Sequence, residues 1–301
     1  MVTSLAEKGS KSDKDFSLFY SYFLVVCMLL NYAGRIIDLH QPKVMGILNV
    51  TPDSFFSGSR VGGAKHAHKV IEKMLLEGVD MVDIGAYSSR PQAADVSTID
   101  EIQRLSDVLE MILKNFPDLP ISVDTFRSSV ASHVVKNYGV GIINDISGGT
   151  LDVNMFETIA ELGVAYVLMH IKGNPQTMQM MTNYDNVVCE VLDFLQKRIT
   201  QLSLFGVKDI LVDPGFGFGK TTAQNYELLK NLDLFNVLEK PLLIGVSRKS
   251  MIYKTLNCTP ENALNGTTAV HFAALMAGAK ILRVHDVKEA KEAVAIYEMM
   301  C

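Results

Sequence analysis

Eight short apolar segments of this chain each run into residues that can do chemistry. The side chains at their ends are Asn49, Asp83, Asp124, Asn144 with Asp145, His170, Asp213, then Ser247, Arg248 and Lys249, and last Arg283, His285 and Asp286. A polar group is costly inside an apolar strand unless it is paired, so polar residues at every strand end point to one shared surface. Single members have a structural alternative; Asp145, for example, also suits capping of backbone N–H groups. The ring has two flavours. Asp124, Asn144 and Asp213 accept hydrogen bonds, and Asn144 also donates, which suits a neutral heterocycle with several N–H groups on one edge. Arg90, Lys220, Arg248, Lys249, Arg283 and His285 are cationic in type and suit an anion such as phosphate or pyrophosphate. A flat, N–H-rich ring carrying a phosphorylated arm fits both halves.

These residues need a scaffold that brings distant strand ends together. The apolar runs fall at 44–50, 79–84, 120–124, 140–145, 164–170, 209–213, 241–247 and 279–285. Segments of helical period lie between them at 63–77, 98–115, 127–137, 153–162, 185–205, 222–238 and 261–277, with an eighth at 286–300. Eight strand–helix units predict an α/β fold, a closed (β/α)8 TIM barrel whose chemistry sits at the C-terminal strand ends. A doubly wound open sheet is the alternative, for which eight repeats are many. Residues 31–39 carry the one hairpin signal, with Ala33 and Gly34 at the turn, and predict a two-stranded lid over the bottom of the barrel.

The chain has 301 residues, 48% apolar and 20% charged, the composition of a globular protein. Length alone suggests about two domains, but an α/β barrel runs to about 250 residues as one unit. A net charge of −5 argues against bulk nucleic-acid binding while leaving room for a local basic pocket. Four scattered cysteines, with no C-x-x-C, argue against a disulfide scaffold or a zinc site and for a reducing, cytoplasmic compartment. The N-terminus differs from the rest. Residues 1–15 are polar, and the uncharged run 16–30 is short of the ~20 residues that span a bilayer. Glu7, Asp13 and Asp15 dilute the positive region a signal peptide needs, and no A-x-A-like cleavage site follows. Residues 1–27 are expected to be a disordered or non-native extension, with Met28 as a natural start; a membrane anchor is the competing reading. Residues 28–301 are expected to form a single domain without stable membrane association.

Three local motifs invite other readings. The stretch DPGFGFGKT at 213–221 follows a strand and precedes a helix, as a P-loop does, but the first glycine of that pattern falls on Pro214. Its glycines are expected to let the loop pass close to a flat ligand. His66 and His68 read as a solvated helical pair, and the methionines at 178–181 as packing or a mobile loop.

Several long blocks, taken together, resemble the dihydropteroate synthase family of folate biosynthesis. They are VMGILNVTPDSFFSG (44–58), DIGAYSSRPQA (83–93), ISVDTFR (121–127), INDISGG (143–149), MHIKGNPQTMQ (169–179), DPGFGFGK (213–220), GVSRKSMI (245–252) and RVHDVKEA (283–290). They occur in the family's order from about Leu29 to the C-terminus. The resemblance implies a TIM barrel, and a reaction in which 4-aminobenzoate displaces diphosphate from (7,8-dihydropterin-6-yl)methyl diphosphate to give 7,8-dihydropteroate. It also implies Mg²⁺ on the diphosphate, a homodimer formed by late helices, and sulfonamides as competitors.

Matched block by block, the resemblance implies roles for individual residues. Asp124, Asn144, Asp213 and Lys249 contact the pterin, with Met169 as an apolar wall. Asn49, Arg90, Arg283 and His285 bind the diphosphate, and Asn49 is the metal contact. Ser89, Pro91, Phe218 and Ser250 surround 4-aminobenzoate, and Asp53 and Phe55 close over the site. Lys249, Arg283 and Asp124 are the residues assigned to catalysis. The second block departs from the family's usual G-E-S-T-R-P-G and reads G-A-Y-S-S-R-P-Q at 85–92, keeping Arg90 and Pro91 while Ser89 and Gln92 alter the loop. Rival readings are a pterin-binding methyltransferase on the same barrel, which would not need the basic SRKS and RVHD ends, and a non-catalytic pterin-binding paralogue.

Overall fold

Alternation with a period of two decides how each strand divides its side chains. In the computed structural model, which describes residues 28–50, 60–87 and 96–301, eight parallel strands close a barrel. They are β3 (Lys43–Asn49), β4 (Met81–Gly85), β5 (Ile121–Asp124), β6 (Ile142–Asp145), β7 (Ala165–Met169), β8 (Ile210–Asp213), β9 (Leu242–Ile244) and β10 (Ala279–Val284). Each pairs with the next, and β10 pairs back onto β3. One face of every strand looks outward onto helices: Val82 and Ile84, Ile121 and Val123, Tyr166 and Leu168, Ile210 and Val212 all join the large core between strands and helices. The other face fills the barrel with Met45, Met81, Ile142, Ala165, Val167, Leu211, Leu243 and Ile281. These side chains fill the interior as a packed core and not a pore, and each of the larger ones, Ala165 aside, stabilises by roughly 1.5–3 kcal/mol.

The helices follow from caps and apolar stripes. They are α1 (Arg60–Leu76), α2 (Thr98–Asn115), α3 (Ser128–Tyr138), α4 (Met155–Leu162), α5 (Val187–Leu204), α6 (Thr222–Lys230), α7 (Ser250–Thr255), α8 (Leu264–Met276) and α9 (Val287–Glu298). Ser97 starts α2 by accepting the Asp100 N–H, and Thr221 with Gln224 forms a capping box at α6. Asn186 caps α5 in the same way. The predicted helix at 222–238 is split, because after Asn231 the chain tightens into a 3-10 stretch, Leu232–Leu238. The short α7 lies outside the predicted helical segments, because six residues are too few to show a period.

The predicted hairpin is present as β1 (Leu29–Tyr32) and β2 (Arg35–Asp38). Ala33 and Gly34 take φ of 47° and 84° at its turn, the left-handed pair that a two-residue hairpin loop requires. The hairpin closes the bottom of the barrel: Leu30, Tyr32 and Leu39 pack onto the interior side chains. Tyr32 Oη also accepts the backbone N–H of Ile121 at 2.9 Å. The end of the apolar run 16–30 is therefore strand β1, while the expectation for 1–27 lies outside the described residues. Among the described residues no helix is long and apolar enough to cross a membrane.

Candidate active site

The inward face that is apolar at the bottom of the barrel turns polar at the top. Two residues above Met81, Ile142, Leu211 and Ile281 come Asp83, Asn144, Asp213 and Arg283; β3 stays apolar through Ile47 and turns polar at Asn49, and β5 contributes Asp124. Asp83 Oδ2 receives Arg283 Nε at 2.7 Å and Asn144 Nδ2 at 2.9 Å. Arg283 Nη2 reaches Asp124 at 3.1 Å. One N–H of the Asn144 amide is thus given to Asp83, which assigns the nitrogen to that side and leaves the oxygen to accept from a ligand. Asn49 stands at the end of β3, with Oδ1 beside Gly85 and the Asp124 carboxylate on the same side. Met169 ends β7 among Ile146, Ile171 and Met178, with Phe126 and Phe218 packed against that patch. Met178 is thus part of an apolar wall.

The charges are set by their surroundings. Burial raises the Asp124 carboxyl to about 7 against the pull of Arg283. Burial also raises Asp213, although Lys249 opposes it. Lys249 donates to Phe216 O, lies 4.7 Å over the Phe218 ring, and is lowered by burial to about 8. His285 is lowered to about 4 by burial and by Arg283, so it is a neutral imidazole at pH 7 and not the cation its type suggests. Ser247 Oγ accepts the His285 backbone N–H at 3.2 Å and lies 3.1 Å from Nδ1. With Ser247 donating to Nδ1, the ring proton sits on Nε2, ready to donate.

Four residues of the predicted ring lie elsewhere. Asp145 is one residue out of phase with Asn144, faces the helices, and accepts from Ser147 N, Gly149 N and Tyr166 Oη. His170 is likewise out of phase with Met169, and its ring packs edge-on to Phe194. Lys220 is buried and spends its ammonium on Gly215 O, Phe218 O and His170 Nδ1. Arg248 forms a two-pronged pair with Asp286 at 2.7 and 2.8 Å and donates to the carbonyls of Pro260 and Glu261. Arg248 itself adopts φ 54°, a left-handed turn costing about 1 kcal/mol, and Lys249 follows it into the mouth. The 213–221 loop is not a P-loop. Any side chain on Gly215, at φ 72°, would collide with the His170 carbonyl, so this glycine serves approach to another backbone segment and not to a ligand.

Ser250, the first residue of α7, is half-buried next to Lys249. Asp53, Phe55, Ser89, Arg90 and Pro91, and with them Gln92, lie outside the described residues. His68 packs on Phe116, with ring centroids 5.0 Å apart. Asp83, one of the strand-end residues but given no role by the resemblance, shares the inward phase of Asn144 on β6. Tyr87, which is neither a strand-end residue nor one with an implied role, meets Phe126 edge-on at 5.1 Å, with the Arg127 guanidinium 5.4 Å over its ring. Behind them Glu101, fully buried, takes Thr125 Oγ1 at 2.7 Å and an Arg127 N–H.

The residues 45–285 match the family model described as pterin binding enzyme. The chain is 43% identical over 277 residues to the dihydropteroate synthase of Escherichia coli (strain K12), covering 90% of this chain and 96% of that one. Among solved structures, a Yersinia pestis dihydropteroate synthase in a sulfonamide drug complex matches with a TM-score of 0.84 at 40% identity, over 91% of this chain and 99% of that chain. The Thermus thermophilus dihydropteroate synthase in complex with 4-aminobenzoate matches with a TM-score of 0.81 at 36% identity, over 91% of this chain and 100% of that chain.

Proposed function

Because this chain belongs to the dihydropteroate synthase family of pterin-binding enzymes, we propose that it condenses (7,8-dihydropterin-6-yl)methyl diphosphate with 4-aminobenzoate. The C–O bond to diphosphate breaks with its electron pair leaving on oxygen, the amine nitrogen forms a bond to the methylene carbon, and the amine loses one proton. Loss of diphosphate runs ahead of attack, since the pterin ring can share positive charge at the methylene. The observation that carries this reading is the inward ring itself: acceptors Asp124, Asn144 and Asp213 beside donors Lys249 and Arg283. The methyltransferase reading has no use for the donors.

In this reading Asp124, Asp213 and the Asn144 oxygen hold the N–H edge of the pterin, and Met169 backs its face. Arg283 offers Nη1 to the leaving diphosphate, its other edge being held by Asp83 and Asp124. Neutral His285 donates from Nε2 to the same anion, and Arg90 closes on it from the second loop. Lys249 bridges the pterin and the amine position, where Phe218, Ser250, Ser89 and Pro91 form the wall; Asp53 and Phe55 cover the site. Fixed donors of this kind stabilise a leaving anion without reorganising.

Mg²⁺ fits the oxygen donors here. Among the described residues no cluster of three or more His, Cys, Asp or Glu could hold a metal by itself, and Mg²⁺ characteristically takes few protein ligands, with waters and substrate phosphates completing its shell. Asn49 Oδ1 would be the protein ligand, and the ion would share the charge of the leaving diphosphate.

We further propose that residues 28–301 are the catalytic unit, that two copies pair through the late helices, and that the enzyme is cytoplasmic. Exposed Met276, Ile296 and Met299 on or beside α8 and α9 support the pairing, and the free thiols of Cys189, Cys258 and Cys301 support a reducing compartment. The test is diphosphate release. It should require the pterin diphosphate, 4-aminobenzoate and Mg²⁺ together, fall with added sulfonamide, and persist in a chain starting at Met28. Release without 4-aminobenzoate, or none at all, overturns the reading.

A further inference from the structure

Lys220 sits beneath the site and touches none of the groups proposed to meet substrate except through one loop. Burial lowers Lys220 to about 7, with Asp213 opposing; in its charged form the ammonium has three N–H groups, and three acceptors take them: Gly215 O at 2.9 Å, Phe218 O at 3.0 Å and His170 Nδ1 at 2.9 Å. The side chain is only 6% exposed, so nothing of it is left for a ligand. His170 can complete this set only as a neutral ring with its proton on Nε2, and burial together with Lys220 holds it neutral. The loop backbone is held at two further points, since Asp213 Oδ1 takes Gly215 N and Asn225 Oδ1 takes Gly217 N, each at 2.7 Å. Between them Phe216 O accepts from Lys249, and just beyond Gly217 the Phe218 ring lies under the same ammonium. Two lysines therefore grip one short loop through different carbonyls: Lys220 from the β7 side, Lys249 from the mouth.

We propose that His170 and Lys220 are a positioning pair that sets the placement of Phe218 and Lys249, and thereby the affinity for the aryl amine substrate, without touching it. The inference rests on the reading of Phe218 as a wall of the 4-aminobenzoate position. It requires that the acceptor on residue 170 matter, and not merely the bulk of the ring.

Steady-state kinetics of the full chain with both substrates, alongside thermal midpoints, test this. His170→Leu keeps bulk but removes the acceptor and should raise KM for 4-aminobenzoate about tenfold, with a smaller change in KM for the pterin diphosphate. His170→Asn places an acceptor oxygen near the Nδ1 position and should recover most of that loss. Lys220→Met should repeat the His170→Leu pattern; if it does not fold, Lys220→Arg, which keeps the charge but not the three-way geometry, supplies the same ratio. A lowered midpoint with both KM values unchanged, or equal losses for the two substrates, overturns the pair and assigns it to stability alone. Absence of turnover in the unaltered chain overturns the reaction assignment and this role with it.

Discussion

Asp83 and Arg283 are 200 residues apart in the chain and 2.7 Å apart in the structure, carboxylate Oδ2 to guanidinium Nε. The same oxygen takes Asn144 Nδ2, so one buried carboxylate orients both a proposed anion donor and a proposed pterin acceptor. Arg283 has a second carboxylate partner in Asp124, at 3.1 Å from Nη2, whereas Asp83 alone joins it to Asn144. Asp83→Asn should free the Arg283 edge and offer Asn144 a second amide to rotate against. The expected result is a loss of about 100-fold in kcat/KM for the pterin diphosphate, with a stability loss of about 1–3 kcal/mol, read by steady-state kinetics and denaturant titration. Near-normal kcat/KM would remove Asp83 from the positioning of the site.

The pH profile should be narrow. Asp124 must be ionised to accept an N–H, and burial raises it to about 7, with Arg283 opposing. Lys249 must be protonated to donate, and burial lowers it to about 8, with Asp213 opposing. In the free enzyme, kcat/KM for the pterin diphosphate should therefore rise as pH passes 7 and fall as it passes 8. Lys249→Arg keeps its proton throughout and should shift the alkaline limb upward. A flat profile between pH 6 and 9 would mean that neither group titrates in the step measured.

Much of this site is legible in the sequence because strands obey parity. Met81 and Asp83, Ile142 and Asn144, Leu211 and Asp213, and Ile281 and Arg283 are all two apart, so an apolar interior predicts a polar mouth. The same parity separates Asn144 from Asp145 and Met169 from His170, and applying it would have moved Asp145 and His170 out of the ring. Lys220 and Arg248 are different. They stand in loops, which have no period, and their partners arrive from afar: Asp286 is 38 residues beyond Arg248, and His170 is 50 before Lys220. A cation in a glycine-rich loop looks the same in sequence whether it meets a ligand or a backbone carbonyl.

The hairpin at the bottom of the barrel should contribute stability and leave catalysis alone. Tyr32 Oη accepts the N–H of Ile121, a buried backbone group at the start of β5. Tyr32→Phe keeps the packing and strands that N–H, at a cost of about 1–3 kcal/mol. Both KM values and kcat should stay unchanged at 25 °C, because Ile121 is at the opposite end of its strand from Asp124. An altered KM would show that the bottom of the barrel is coupled to its mouth.

Ser247 should matter through His285. Its hydroxyl accepts the His285 backbone N–H and lies 3.1 Å from Nδ1; when it donates to Nδ1 the ring proton is on Nε2. Ser247→Ala removes the donor to Nδ1, so the ring can carry its proton on either nitrogen and turn. The proposed donor to the leaving anion would then be present for only part of the time. The expected effect is a fall in kcat of about tenfold, with KM for 4-aminobenzoate unchanged and with Ser247→Thr, which keeps the hydroxyl, close to the unaltered enzyme. Nitrogen-15 shifts of the His285 ring should move from a single Nε2–H tautomer toward a mixture in the alanine variant. An unchanged ring spectrum, or an equal loss in Ser247→Thr, would detach Ser247 from the chemistry of the leaving group.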